Sequence, residues 1–153
     1  MSKSSVVRFF ALAAATASIG FAAAGPAAAD GAVDWQSKVT GECVTAGGEG
    51  AAFMGGCGGR WYDEKHPEHG NNWIQYFAAD PKLCLDSSDA GRVYLNPCTP
   101  ASRYNKYQFW SEEKWNGGWV LKNVATGRCL SVYKGHQVRT LPCNSNNRDQ
   151  FWK

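Results

Sequence analysis

The stretch WYDEKHPEHGNNW, residues 61–73, holds two of the chain's 3 histidines, His66 and His69, among Asp63, Glu64 and Glu68. Imidazole and carboxylate at such short spacing are the ingredients of a metal site. They are equally the ingredients of a solvated turn. A second set of acids, Asp86, Asp89, Glu112 and Glu113, raises paired-carboxylate catalysis, which needs two acids about 5 to 9.5 Å apart across a cleft. No Ser-His-Asp order or nucleophile-elbow motif accompanies them. What these residues do depends on the elements that carry them.

Residues 1–29 read as a secretory signal peptide: Lys3 and Arg8 precede the apolar run FFALAAATASIGFAAA, and PAAAD offers a small-residue cleavage site. The mature protein is then residues 30–153, secreted to the extracellular space, with no second apolar run to span a membrane. That length supports one domain around one core. The whole chain carries 16 basic and 13 acidic side chains, a formal net charge of +3. Two of the basic residues fall in the leader, and the rest form no positive stripe of the kind phosphate backbones demand. Nucleic acid is excluded as a partner.

All 6 cysteines lie after the leader, where export favours disulfides. Six cysteines allow fifteen pairings, but Cys43 and Cys57, Cys84 and Cys98, and Cys129 and Cys143 are each fourteen residues apart, so the spacing selects three local bridges. Three equal intervals also announce a threefold repeat. Val44, Leu85 and Leu130 follow the first cysteine of each pair; Ala52, Val93 and Val138 stand five before the second; YQFW closes the second unit and DQFW the third. The repeats span about 30–72, 73–118 and 119–153.

The first unit contains IQYF at 74–77, but Phe77 lies too close to Cys84 to stand where Trp110 does. Aligning WYDEKHPEHGNNWIQYFAADPKLCL with WSEEKWNGGWVLKNVATGRCL matches Trp61 to Trp110 and Trp73 to Trp119, with Gly59 where the other units have glutamine. WNGGW carries the Asn-Gly signal of a tight hairpin, so 61–73 is the same hairpin lengthened by three residues. His66 and His69 fall on its tip, which makes them solvated turn residues with no metal bound. His136 is a lone loop histidine.

Short segments rich in Val, Leu, Tyr, Phe and Trp, punctuated by Gly, Asn, Asp and Pro, predict an all-β fold. Three units of four short strands predict a closed pseudo-threefold barrel capped by hairpins, which leaves few free edges. Trp61, Trp110 and Trp152 are the expected core, each removing about 150 to 250 Å² from water, worth several kcal/mol at roughly 25 cal/mol/Å².

The cysteine spacing together with CLD, TGRCL, LPCN and the repeated Q-x-W resembles the ricin B-type β-trefoil lectins over the whole mature chain. LCLDSSDAGRVYLNPC and TGRCLSVYKGHQVRTLPC are similar to the mannose-binding lectins of the actinohivin type. The resemblance implies a twelve-stranded trefoil with one shallow sugar pocket per unit. In the second unit it places Asp86 as acceptor of sugar hydroxyls, Tyr94 and Tyr107 as the pocket tyrosines, and Gln108 as a brace beneath. Asn96 replaces an apolar lining residue and Thr99 an asparagine, so ligand preference should differ. The third unit keeps Leu141 and Asn144 but has Ser131, Arg139 and Asp149 at the aspartate and the two tyrosines. The first has Thr45, Phe53, Gly55 and Gly58 at the corresponding places and has lost the glutamine.

The expected function is carbohydrate binding through one pocket in the second repeat, with glycans or polysaccharide as partners, no cofactor and no catalytic residues. The alternative is a module that binds a secreted or cell-surface protein, as a protease inhibitor or toxin accessory does, through the long hairpin and an exposed Trp115.

Overall fold

The computed structural model describes residues 31–47 and 50–153; the leader lies outside them. Eleven strands form the described residues into an all-β molecule: β1 (Gly31–Val33), β2 (Cys43–Ala46), β3 (Ala52–Gly55), β4 (Trp61–His66), β5 (Asn72–Phe77), β6 (Asp80–Ser87), β7 (Val93–Pro97), β8 (Phe109–Trp115), β9 (Gly118–Asn123), β10 (Cys129–Tyr133) and β11 (Gln137–Leu141). The twelfth strand of the expected trefoil is reduced to bridges at Trp152, which pairs with both Trp119 and Ser37.

The chain closes into a barrel. Hairpin β4–β5 joins β8 through Trp73 opposite Trp110, hairpin β8–β9 joins Trp152 through Trp119, and the N-terminal strand returns from Trp152 to β4, with Val33 opposite Trp61. Hairpins β2–β3, β6–β7 and β10–β11 cap one end. The pairing of Lys65 with Trp73 and of Lys114 with Trp119 places the two barrel hairpins in the register read from sequence. Phe77 pairs with Trp61 instead of replacing it.

Trp61, Trp110 and Trp152 are each fully buried and share one core with Val44, Leu85 and Leu130. Buried indole N–H groups need an acceptor, and these three find equivalent ones. Trp61 donates to the Val44 carbonyl at 2.8 Å, Trp110 to Leu85 at 3.0 Å and Trp152 to Leu130 at 3.3 Å. Trp35 is a fourth core indole absent from the sequence expectation. Its N–H goes to Gln75 Oε1 at 2.9 Å, and Gln75 Nε2 goes on to Glu112 at 2.7 Å, so the barrel's opposite end closes on a polar chain.

The three disulfides are Cys43–Cys57, Cys84–Cys98 and Cys129–Cys143, each stapling the cap hairpin of its own lobe. In WNGGW the turn passes over Phe151. A Cβ on Gly117 would lie 2.5 Å from the Phe151 ring, so the tip admits only glycine there.

Two sequence expectations are corrected here. The histidines at the tip of the long hairpin are not solvated side chains, although Pro67, Glu68, Gly70 and Asn71 around them are exposed. Pro67–His69 forms a 3-10 turn that folds the histidines back onto the segment before β8. His66 is buried and meets the edge of Phe109, with its Nδ1 2.8 Å from Glu68 Oε1. His69 stacks on Tyr104 at 4.1 Å, and its Nε2 lies 2.8 Å from the Ala101 carbonyl. Packing against the rings of Phe109 and Tyr104 removes imidazole carbon surface from water. Trp115, expected to be exposed, is half-buried because Phe151 packs against it edge-on and Glu113 accepts its N–H at 2.9 Å. The exposed indole is Trp119, with Lys114 over its ring.

Candidate functional site

The second lobe gathers the sequence-derived residues into one surface depression. Strand β6 places Asp86 directly opposite Tyr94 on β7, and Cys84 opposite Asn96, so Asp86, Tyr94 and Asn96 share a face of the cap hairpin. The segment leading into β8 brings Tyr107 to the same side. A cavity of about 260 Å³ results, lined by Asp86, Asp89, Tyr94, Asn96, Asn105 and Tyr107 together with Ser87 and Ser88.

Asp86 is the centre of this site. It is only 2 % exposed, and one carboxylate oxygen is held from two sides: Oδ2 accepts Asn96 Nδ2 at 3.2 Å and Gln108 Nε2 at 3.1 Å. Among the described residues no donor reaches Oδ1. A buried carboxylate fixed through one oxygen presents the other to whatever enters the cavity, without first having to be ordered.

Gln108 braces both the pocket and the turn beside it. Its Oε1 accepts the Thr99 N–H at 2.8 Å and its Nε2 donates to the Pro97 carbonyl at 3.0 Å as well as to Asp86. Gln150 repeats the backbone bonds in the third lobe, with Asn144 N–H at 2.9 Å and the Pro142 carbonyl at 3.0 Å. The first lobe, lacking glutamine, uses a different acceptor. Asp34 Oδ2 takes the Gly58 and Gly59 N–H groups at 2.9 and 2.8 Å, and Oδ1 takes Arg60 N–H at 3.0 Å. Burial pushes the Asp34 carboxyl up, but the three N–H bonds and the Arg60 charge together hold it below its ordinary value.

The two phenols are protonated donors at neutral pH. Tyr107 is exposed and its hydroxyl donates to Asp89 at 3.1 Å; that bond, then the Asp89 charge, raises its pKa. Tyr94 is half-buried, and desolvation, followed by the Asp86 charge, raises it too, against an opposing pull from Arg92. Tyr107 N–H is tied to Asn105 Oδ1 at 3.2 Å, which orders the turn that carries the ring. Sequence reasoning missed Asn105 and considered Asp89 only as a catalytic acid. The available signal was their place at the turns flanking CLD and Q-x-W.

The other two lobes lack this arrangement. Ser131 and Thr45 stand at the aspartate position, opposite Arg139 and Phe53, and Ser131 spends its hydroxyl on the Val132 carbonyl at 3.1 Å. Of the acids first singled out, Asp86 and Asp89 meet in the cavity, whereas Glu112 and Glu113 lie on β8. Among the described residues no three His, Cys, Asp or Glu side chains gather as a metal site would require, and no helix is long and apolar enough to cross a membrane. His136 is exposed, 3.7 Å from Glu42.

The fold is shared with solved structures. A GlcNAcα1-4Gal releasing endo-β-galactosidase from Clostridium perfringens superposes with a TM-score of 0.66 at 11 % identity over 78 % of this chain and 31 % of that one. The hemolytic lectin CEL-III gives 0.55 at 23 % identity, covering 78 % of this chain and 28 % of that one. SeviL bound to asialo-GM1 saccharide gives 0.61 at 14 % identity, covering 78 % and 91 %. The chain thus spans about a third of the length of the first two, and at these identities the likeness is one of fold. No curated protein sequence matches. The ricin-type beta-trefoil lectin domain matches residues 32–152, nearly all of the described chain, with its three lobes, its indole core and its glutamine braces: the chain belongs to the ricin-type beta-trefoil lectin family.

Proposed function

We propose that the protein is a secreted, non-catalytic lectin that holds a sugar residue in the second lobe, with Asp86 as the anchor. The observation that carries this is the buried carboxylate with Oδ2 held by Asn96 and Gln108 and Oδ1 left toward the cavity. Vicinal hydroxyls of a hexose donate to Oδ1, the amide of Asn96 and the phenols supply complementary polar groups, and a tyrosine ring covers the apolar C–H face. Membership of a lectin family and a trefoil neighbour that holds a saccharide support the reading. The likeness of CLDSSDAGRVYLNPC to mannose-binding lectins points to a hexose, with Asn96 shifting the preference.

A single shallow site binds weakly, so useful affinity requires a many-headed glycan surface or self-association. The long hairpin offers little to a protein-docking alternative, since its histidines are packed against Phe109 and Tyr104. A glycan array probed with the purified protein tests the proposal: binding to a defined set of sugars that disappears in Asp86→Ala, with an unchanged fold by circular dichroism, supports it. Binding that survives Asp86→Ala refutes the site.

A further inference from the structure

The three cap hairpins meet edge to edge around the pseudo-threefold axis through a cyclic set of bonds: Leu95 N–H to Gly50 O at 2.6 Å, Thr140 N–H to Gly91 O at 3.0 Å and Met54 N–H to His136 O at 2.8 Å. Each bond flanks one bridge, so Ala51 faces Tyr94, Arg92 faces Arg139 and Gln137 faces Phe53. In this pattern the facing residues are the narrow, non-hydrogen-bonded pairs whose side chains approach most closely. Alternate residues Ala52, Val93 and Val138 are buried in the core. The six facing residues therefore point outward, and they ring an opening of about 430 Å³ on the axis.

Two features of this ring have no role in the fold. Arg92 and Arg139 stand directly opposite each other, an arrangement that destabilises a sheet when the charges are alike. Among the described residues neither guanidinium forms an ion pair or donates a hydrogen bond. Arg92 lies over the Tyr94 ring at 5.8 Å and Arg139 over the Tyr133 ring at 5.0 Å, cation–π contacts that occupy none of their N–H donors. Across the opening, Phe53 is 41 % exposed, a large apolar ring beside an amide and two cations. The second feature is continuity: Tyr94 lines both this opening and the Asp86 cavity.

We infer that the axial opening is a second subsite, for the carboxylate or sulfate of an acidic saccharide whose neighbouring residue occupies the Asp86 cavity. An anion between Arg92 and Arg139 relieves their mutual repulsion and takes up their fork of donors, while Phe53 and Tyr94 receive the C–H face of the charged ring. The inference builds on the lectin reading above and names its ligand class as anionic glycans.

The test uses oligosaccharide pairs that differ only in charge: a uronate oligomer against its carboxyl-reduced form, and a sulfated oligomer against its desulfated form. Each is titrated by calorimetry into the wild-type protein, Asp86→Ala and the double variant Arg92→Gln/Arg139→Gln. The acidic member of at least one pair binds about tenfold tighter to the wild type, consistent with one added charge-assisted contact, and the advantage falls as salt is raised. The double variant loses that advantage and keeps its affinity for the neutral member. The pair that shows the effect identifies carboxylate or sulfate as the group read. Equal binding of both members, or an advantage that survives in the double variant, overturns the subsite and leaves the Asp86 reading standing. Arginine-dependent acidic binding that persists in Asp86→Ala keeps the subsite and refutes the Asp86 anchor; no binding of any saccharide overturns both.

Discussion

Gln108 and Gln150 make a natural pair for separating fold from function. Both are fully buried, both accept a backbone N–H and both donate to a proline carbonyl. Only Gln108 also reaches a carboxylate, Asp86 at 3.1 Å, because the third lobe has Ser131 there. Truncation to alanine removes two neutral bonds in either case, at about 1 kcal/mol each. Gln150→Ala should therefore cost about 2 kcal/mol, or roughly 6–10 °C in Tm for a domain of this size. Gln108→Ala loses the same two bonds and one to a buried anion, which adds about 1.5 kcal/mol or more. Chemical denaturation of both variants gives the stabilities, and titration with the best array ligand gives the affinities. Gln108→Ala should weaken sugar binding by at least about tenfold, since Asp86 loses one of its two amide holds. Gln150→Ala should leave affinity unchanged wherever the variant is folded. Equal effects of the two substitutions on binding would show that the glutamine acts only through global stability, and that the Asp86 contact is incidental.

Asp34→Ala leaves three backbone N–H groups of the first lobe without their acceptor and, allowing for its solvent exposure, should cost about 1 kcal/mol at pH 7. The folded carboxyl sits below its ordinary value, so its stabilisation is present above about pH 4 and is lost as pH falls through the depressed value. Urea denaturation should find the gap between wild type and variant closing toward pH 2.5; a constant gap refutes the charge argument. Gly91 has φ +78°, and a Cβ there would lie 2.5 Å from the Thr140 carbonyl. Gly91→Ala should cost at least about 2 kcal/mol in a thermal melt through left-handed strain and a forced parting of two caps; a neutral result refutes that tight axial contact.

The fold was legible because its constraints repeat. Cysteine spacing gave the staples, and the recurrence of tryptophan after glutamine gave the core, even where Gly59 broke the motif. Asp86, Tyr94 and Asn96 were legible because a two-residue alternation on a hairpin puts them on one face. What sequence reasoning missed depends on contacts between segments far apart in the chain. The histidines of the long hairpin look solvated until Phe109 and Tyr104 come up beneath them, some forty residues later. Trp35 reaches the core only because the N-terminal strand closes the barrel beside Gln75. Asp34 substitutes for a missing glutamine from across the lobe, and no local motif announces such a replacement.

The three indoles donate their hydrogen bonds to main-chain oxygens at positions 44, 85 and 130, each immediately before the position occupied by Thr45, Asp86 or Ser131. A carbonyl is present whatever side chain its successor carries, so the aim of that successor is guaranteed by architecture and its chemistry is left to choice. A change at that position alters what a lobe presents while the centre of the molecule stays untouched. Lobes that differ at this position, aspartate in one and hydroxyl side chains in two, are what such a modular socket permits.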